Sequence, residues 1–313
     1  MPVWVMVLAD IVAIGVFLIV FSLFHHVLPQ KPDMEPVALP TSQPSAPAEQ
    51  PAQQPEEGEP SPEQTQTAQT AGHKFESMFT QEVVHTDNKF SNNNVSVEVE
   101  TFSSNGVTYH VADVYVRDVT YLKTAFGQDE FGKTDWVQDI CAANNAFVAV
   151  NGDQCGQHRE GVVVRNGILY RETPFHDVAV LENDGTLNTY TQDEFDLQAV
   201  KDRGVWQVWS FGPVLLTDGQ PMEDFNTDVG GANPRTAIGM IEPLHYLLVT
   251  VDGRGESAGL SMKDLSKLMY DLGCTSAYNL DGGGTAAMAV DGKLYSTPSK
   301  DRKASDVIYI PMD

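Results

Sequence analysis

The stretch Tyr278-Asn279-Leu280-Asp281-Gly282-Gly283-Gly284-Thr285 places an acid and three residues without side chains directly after an apolar segment. Glycine loses more backbone entropy on folding than any other residue, so three in succession mark a backbone that takes positive φ or lies close against something. Successive bare amides can form a concave anion site, with Asp281 and Asn279 at its rim. An ordinary tight turn is the competing reading. Comparable clusters recur along the chain: Asn151-Gly152-Asp153, His158-Arg159-Glu160-Gly161, Asn233-Pro234-Arg235-Thr236 and Asp252-Gly253-Arg254. Arg159, Arg235 and Arg254 could grip a phosphate bidentately. Asp153, Glu160, Asp252 and Asp281 supply carboxylates of the kind that glycoside cleavage uses. Taken singly, each cluster is equally a surface turn or a salt bridge; in series they point to an anion site shared by several strand ends.

Rival motifs are weaker. Gly255-Glu256-Ser257-Ala258-Gly259 matches the G-x-S-x-G elbow of serine hydrolases, but that fold needs a histidine after the serine. All eight histidines precede Ser257, and Asp252 to Gly255 separate the serine from the strand that the elbow should follow at once. Gly253-x-Gly255-x-x-x-Gly259 has the wrong spacing for a dinucleotide loop, and no G-x-x-x-x-G-K-[ST] occurs. Cys141, Cys155 and Cys274 show no zinc spacing. Cys274 reads as a small buried hydrophobe, while Cys141 and Cys155 could pair if the domain is extracytoplasmic.

The elements that must position these residues are mostly hairpins. Val95, Val97 and Val99 alternate with polar residues, Asn105-Gly106 supplies a two-residue turn, and residues 109–116 alternate as the partner strand. Asn166-Gly167, Asp184-Gly185, Asp218-Gly219 and Asp291-Gly292 repeat the turn signal between apolar runs. Helices are expected at 134–145, capped by Thr134 or Asp135, weakly at 192–201, and at 261–272, where Ser261-x-x-Asp264 opens and Gly273 closes the segment. That last helix joins apolar strands at 246–251 and 274–280, the spacing of a parallel crossover unit. The expected fold is therefore α+β, with a large mixed β-sheet, parallel at its centre and hairpin-rich elsewhere, and a few packed helices.

Ahead of this domain lies a different kind of chain. Residues 3–24 are almost wholly apolar, with Asp10 the one charge, about the length needed to cross a bilayer. No small-residue cleavage site follows closely, so 1–30 reads as an uncleaved, single-pass transmembrane helix. Residues 31–72, rich in Pro, Gln, Glu, Ser, Thr and Ala, read as a disordered stalk. The globular domain is expected at 73–313, outside the cytoplasm, although the flanking Lys and Arg residues hardly vote on orientation. The formal net charge is −24, and the first 72 residues hold eight of the acids and one of the bases, which leaves the domain at about −17. A surface that acidic repels nucleic acid.

Ala149-Val150-Asn151-Gly152-Asp153, Arg159-Glu160-Gly161-Val162 with Arg165-Asn166-Gly167, and Ser210-Phe211-Gly212-Pro213-Val214-Leu215 follow one another in an informative order. Asn233-Pro234-Arg235-Thr236-Ala237-Ile238-Gly239, Val251-Asp252-Gly253-Arg254 and the 279–285 stretch complete the series. Together, from about Trp136 to the C-terminus, they resemble the phosphodiester glycosidase family, and the apolar leader and stalk look like bacterial envelope members of it. The resemblance implies hydrolysis of the bond between a sugar anomeric carbon and a phosphodiester oxygen in a phosphoglycan or sugar-phosphate. It implies that Arg159, Arg235 and Arg254 bind the phosphate, with the Gly282, Gly283 and Gly284 amides completing the nest. Glu160 and Asp281 are then nucleophile or base, and Asp153 and Asp252 orienting or alternative carboxylates. Asn151, Gly152, Thr236, Asn279 and Thr285 become substrate-binding residues. Gln154-Cys155 stands where relatives often carry two aromatics, and Arg302-Lys303-Ala304-Ser305-Asp306 matches only loosely. No cofactor is implied, although the Asp-rich loops could hold Ca²⁺ or Mg²⁺ in a metal-dependent phosphodiesterase. A non-catalytic domain that binds anionic glycans needs the arginines alone.

Overall fold

The computed structural model describes residues 5, 12–18, 34–40, 74–225, 227–300 and 302–313. Three sheets form the domain. The largest runs β14 (Gln220–Pro221), β13 (Val214–Thr217), β17 (Ser276–Asn279), β15 (Arg235–Glu242), β16 (His245–Val251), β5 (Val107–Val116), β4 (Val95–Ser104), β3 (Lys89–Ser91) and β2 (Val84–His85). A six-stranded sheet runs β1 (Val37–Ala38), β9 (Ile168–Thr173), β8 (Gly161–Arg165), β12 (Gln207–Ser210), β10 (Val178–Leu181) and β11 (Leu187–Tyr190). The third runs β19 (Lys293–Leu294), β18 (Met288–Val290), β7 (Ala146–Asn151), β20 (Asp306–Pro311) and β6 (Lys123–Phe126). Helices α1 (Val137–Ala143), α2 (Leu197–Arg203) and α3 (Met262–Asp271) pack outside them.

The α+β class and the hairpins agree with the sequence. Asn105-Gly106, Asn166-Gly167, Asp218-Gly219 and Asp291-Gly292 all take positive φ at both positions, the conformation that matches a hairpin turn to the twist of its strands. Ser261 caps α3 by accepting from the Asp264 amide, and Gly273 ends it at φ +90°. The parallel centre, however, is corrected. Every ladder among the described residues is antiparallel. Strands β16 and β17 do run the same way on either side of α3, but β15 lies between them. The tight β15–β16 hairpin, whose last pair is Glu242 with His245, fills the neighbouring position before α3 can return the chain to it.

Alternation decides which face of the large sheet goes where. Ile238, Met240, Tyr246, Leu248, Ala112 and Val114 face a core shared with Val148 and Ile308 of one smaller sheet and Leu181 and Trp209 of the other. Ala237, Leu247 and Val249 point the opposite way, onto Met262, Leu265 and Met269 of α3. Gly239 lets α3 approach, because a Cβ there would lie 2.5 Å from Cys274 Sγ and 2.6 Å from Met269 Cε. The three cysteines are buried and unpaired. Cys141 belongs to the cluster beneath α1 and Cys155 to that of Phe126 and Phe131, so the pairing left open by the sequence does not form.

Most of the apolar run at 3–24 and of the segment at 31–72 lies outside the described residues, and the expected anchor and stalk with them. Residues 12–18 are helical, and no described helix is long and apolar enough to cross a membrane. Residues 34–40 depart from the stalk reading. Val37 and Ala38 pair with Leu169 and Ile168 at the edge of the six-stranded sheet, the Leu39 amide donates to Gly167 O at 2.8 Å, and Leu39 is buried.

One buried ion cluster ties two sheets together. Arg165 on β8 donates through Nη2 to Asp153 Oδ1 at 2.6 Å and through Nε to Asp306 Oδ2 at 2.9 Å, and all three residues are essentially inaccessible to water. Asp153, Cys155 and Asp306 each offer a ligand atom within 4.8 Å of the others. The guanidinium already serves both carboxylates, and Gly152 packs on that of Asp306, so this is an ion triad. With two acids sharing one cation, burial raises the Asp306 carboxyl from 3.8 to about 7.

Replacing Arg165 with Met should strand two buried carboxylates and cost about 3–5 kcal/mol in urea unfolding. The folded protein also holds the Asp306 proton more tightly than the unfolded chain. That contribution is complete below the unfolded value of 3.8 and is lost as pH rises through about 7. Unfolding midpoints measured across this window should fall with pH in the native protein and fall less in Asp306→Asn; equal slopes would place the titration elsewhere.

Candidate active site

Strand β7 ends at Asn151, β15 begins at Arg235, and β17 passes the chain to Leu280 and Asp281. Because β15 runs against both neighbours, its start lies level with their ends, with Arg235 opposite Val251 and Ala237 opposite Asn279. The clusters expected at parallel strand ends therefore meet at one edge of an antiparallel sheet. Asn151 locks them together. Its Nδ2 donates to Asp281 O at 2.6 Å, and its Oδ1 accepts from Thr236 Oγ1 at 2.7 Å and the Ala287 amide at 3.1 Å. Asn279 donates to Gly212 O at 2.7 Å, while its own Oδ1 is buried with no partner among the described residues. Asn151, Thr236 and Asn279 thus serve the scaffold, and Gly152 gives room to the Asp306 carboxylate, which a Cβ would meet at 2.3 Å.

The centre of the site is Asp281, 4% exposed. Arg302 Nη2 lies 2.7 and 2.6 Å from its two carboxylate oxygens and 3.0 Å from Gly282 O, and Arg302 Nε bonds the Thr285 hydroxyl. Burial raises the Asp281 carboxyl above the ordinary carboxylate range, against the pull of Arg302, the Thr285 hydroxyl and the Gly282 amide, and burial prevails. The glycines act differently from a three-amide nest. The Gly283 amide donates to Pro234 O at 2.9 Å and the Gly282 amide is turned to Asp281, so of the three glycine amides only that of Gly284 has no partner among the described residues. What the glycines provide is thinness. A Cβ on Gly282 would lie 2.7 Å from Pro234 O, one on Gly283 would meet the Arg254 guanidinium at 3.4 Å, and one on Gly284 would meet Lys300 Cβ at 3.2 Å and Arg302 Cβ at 3.4 Å.

Arg235 is the most unusual cation. It is 4% exposed and donates only to carbonyls: Nη2 to Val229 O at 2.7 Å and Gly231 O at 2.6 Å, and Nε to Leu260 O at 3.1 Å. Burial and the nearby Arg254 depress it to about 10. Arg254, held at φ +59°, is exposed and donates to Asn233 Oδ1 at 2.7 Å. Neither guanidinium has a carboxylate partner among the described residues. Buried charge is ordinarily paired, so Arg235 and its neighbour Arg254, without a carboxylate among the described residues, can receive an anion.

Other expected residues lie elsewhere. Asp153 is held in the ion triad, with Oδ2 accepting from the Ser210 amide at 2.9 Å. Asp252 Oδ2 lies 3.1 Å from His110 Nε2, and its Oδ1 accepts from the Thr297 amide at 3.0 Å. Both carboxylates have structural duties within the fold. Arg159 and Glu160 are exposed on the loop before β8, with no bond to Asp281. Ser257 is a loop staple: its hydroxyl donates to Asp252 O at 2.6 Å and accepts from the Thr108 amide at 3.1 Å, while His110 turns to Asp252 and Thr101. The residue missed by sequence reasoning is Arg302. Its signal was the run Lys300, Arg302, Lys303 in a domain otherwise dominated by acids. Beside it opens a cleft of about 200 Å³, whose lining includes Gly284, Thr285, Lys300, Arg302, Trp136 and Leu294.

Comparison with known proteins identifies the family of the domain. The phosphodiester glycosidase family model matches residues 139–310. The SPbeta prophage-derived uncharacterized protein YomE of Bacillus subtilis is 30% identical over 185 residues, covering 54% of this chain and 28% of that protein. N-acetylglucosamine-1-phosphodiester α-N-acetylglucosaminidase of Mus musculus is 29% identical over 174 residues, covering 50% of this chain and 33% of the enzyme. The chain thus spans a third or less of the length of these relatives. The zebrafish N-acetylglucosamine-1-phosphodiester α-N-acetylglucosaminidase catalytic domain, solved auto-inhibited by its pro-peptide, shares the fold. Its TM-score is 0.56 at 22% identity, over 69% of this chain and 82% of that one. With more than half of its length matched by the family model, the chain belongs to the phosphodiester glycosidase family.

Proposed function

We propose that this chain hydrolyses the glycosidic bond of a sugar-1-phosphodiester in an envelope or extracellular glycan, releasing the sugar and leaving a phosphomonoester. The observation that carries the reading is the pair Arg235 and Arg254, guanidiniums without a carboxylate partner among the described residues, beside the buried carboxylate of Asp281. As the bond from C1 to the phosphate oxygen breaks, its electron pair passes to the departing phosphate, and fixed cations stabilise that growing charge. Water supplies the new oxygen at C1, and Asp281 takes its proton. A desolvated carboxylate whose pKa is raised suits that task. Arg302 and Thr285 hold Asp281 in place, and Glu160 is the second carboxylate, able to meet substrate from its exposed loop. The domain works outside the cytoplasm, behind a membrane anchor formed by the apolar run at 3–24; protease accessibility on intact cells tests that location.

Hydrolysis of a sugar-1-phosphodiester in isotopically labelled water should put the label in the sugar. Label in the phosphate would replace this reading with a phosphodiesterase, and binding without turnover would leave a glycan-binding domain. Asp281→Asn should lower turnover by roughly 100-fold or more while the thermal transition persists, and a retained rate would remove Asp281 from the chemistry. Arg235→Lys should lower kcat and kcat/KM together; an unchanged kcat would place Arg235 outside the transition state.

Because the base must be ionised, the acid limb of the kcat/KM profile should lie above the ordinary carboxylate range of about 4. Arg302 favours the ionised form. Removing its charge in Arg302→Gln should therefore move the limb to still higher pH, and a limb that stays in place would separate Arg302 from the titrating group.

A further inference from the structure

The glycine run divides the site into two flanks. Arg254 lies against Gly283, and Arg235 is close enough to Arg254 to feel its charge. On the other flank, Lys300 and Arg302 lie against Gly284, and the cleft opens there. Asp281 sits between, bonded to Arg302 and Thr285, both of which line the cleft. A substrate whose phosphate occupies the Arg235 and Arg254 flank, and whose scissile bond lies at Asp281, carries its sugar ring on toward the cleft.

We infer that this cleft is the glycosyl subsite, with Trp136 as the wall that receives the apolar face of a single sugar ring; the inference rests on the function proposed above. At about 200 Å³ the cleft is smaller than the roughly 300–1,000 Å³ of pockets for drug-sized ligands, so it takes one ring and not an oligosaccharide. Its chemistry is divided as a pyranose is. Trp136, Leu294 and Pro298 offer apolar surface, while Gln138, Lys300 and Thr285 offer polar groups for hydroxyls. Trp136 is held ready by its neighbours: its amide donates to Asp135 Oδ1 at 3.0 Å, and Lys303, which also bonds that oxygen at 3.0 Å, stands 5.5 Å from the centre of the indole ring. As the aromatic side chain among the residues that line the cleft, Trp136 becomes a specificity-determining residue.

Calorimetric titration of the purified protein with N-acetylglucosamine 1-phosphate, glucose 1-phosphate and inorganic phosphate tests the assignment without requiring turnover. At least one sugar phosphate should bind the native protein more tightly than inorganic phosphate. Trp136→Ala should erase roughly tenfold of that advantage, the scale of one aromatic contact, and leave phosphate affinity unchanged. Trp136→Phe, which keeps a ring, should retain most of it. Leu294→Trp, at a lining position 46% exposed, places added bulk in the cleft from outside the core and should also erase the advantage. Equal affinities for sugar phosphate and inorganic phosphate, or an advantage that survives both Trp136→Ala and Leu294→Trp, would overturn the subsite. If the advantage responds as stated while no diester is hydrolysed, the subsite stands and the proposed reaction falls; if hydrolysis proceeds with the cleft variants indistinguishable from native in both affinity and KM, the subsite alone falls.

Discussion

The carboxamide of Asn151 joins sheets that have no strand in common. It closes the end of β7, accepts from Thr236 on β15, and donates to the carbonyl of Asp281 beyond β17, wholly shielded from water. A buried amide with all these bonds made is rigid, and one with any of them missing is costly. The position of the Asp281 carboxylate thus depends on agreement between two separately built sheets. The same holds on the far side of Gly152, where the Arg165 triad fastens β8 to β20. The site rests on polar joints between layers, and the apolar cores beneath keep those joints dry.

Electrostatics then acts on a surface arranged to oppose it. A domain of about −17 repels free anions in general. Within it, among the described residues, Arg235 is bonded to carbonyls and Arg254 to an amide oxygen, with no carboxylate on either. Arg302 plays a different part, since its Nη2 is committed to Asp281. Three arginines near one carboxylate are therefore not three copies of one function: two are uncompensated, and the third restrains the acid.

Much of this was legible in the chain because it is local. Asn-Gly and Asp-Gly turns, the Ser261 cap and the valine alternation of β4 each depend on a few neighbouring residues, and each appears where expected. The parallel centre was misread because strand and helix spacing is the same whether or not another strand occupies the gap. The β15–β16 turn carries no Asn-Gly, only Pro243 and a left-handed Leu244. Site residues divided in the same way. Asp281, Arg235 and Arg254, which the fold brings to one edge, were singled out by their motifs. Asp153 and Asp252 looked equivalent to Asp281, because their partners Arg165, Asp306 and His110 are brought to them only by tertiary folding. Arg302 was passed over since nothing local shows that a basic residue near the C-terminus folds back onto Asp281.

The short β1 strand has a bearing on how the domain survives as a folded object. Without Val37 and Ala38, β9 would present unpaired backbone at Ile168 and Leu169, next to a strand composed of Val162, Val163 and Val164. An open edge of that kind is a template for pairing with other chains. The peptide that leads toward the apolar N-terminus thus also covers that edge, guarding against self-association. A trimmed domain that begins after residue 40 would lose the guard while keeping every residue of the site.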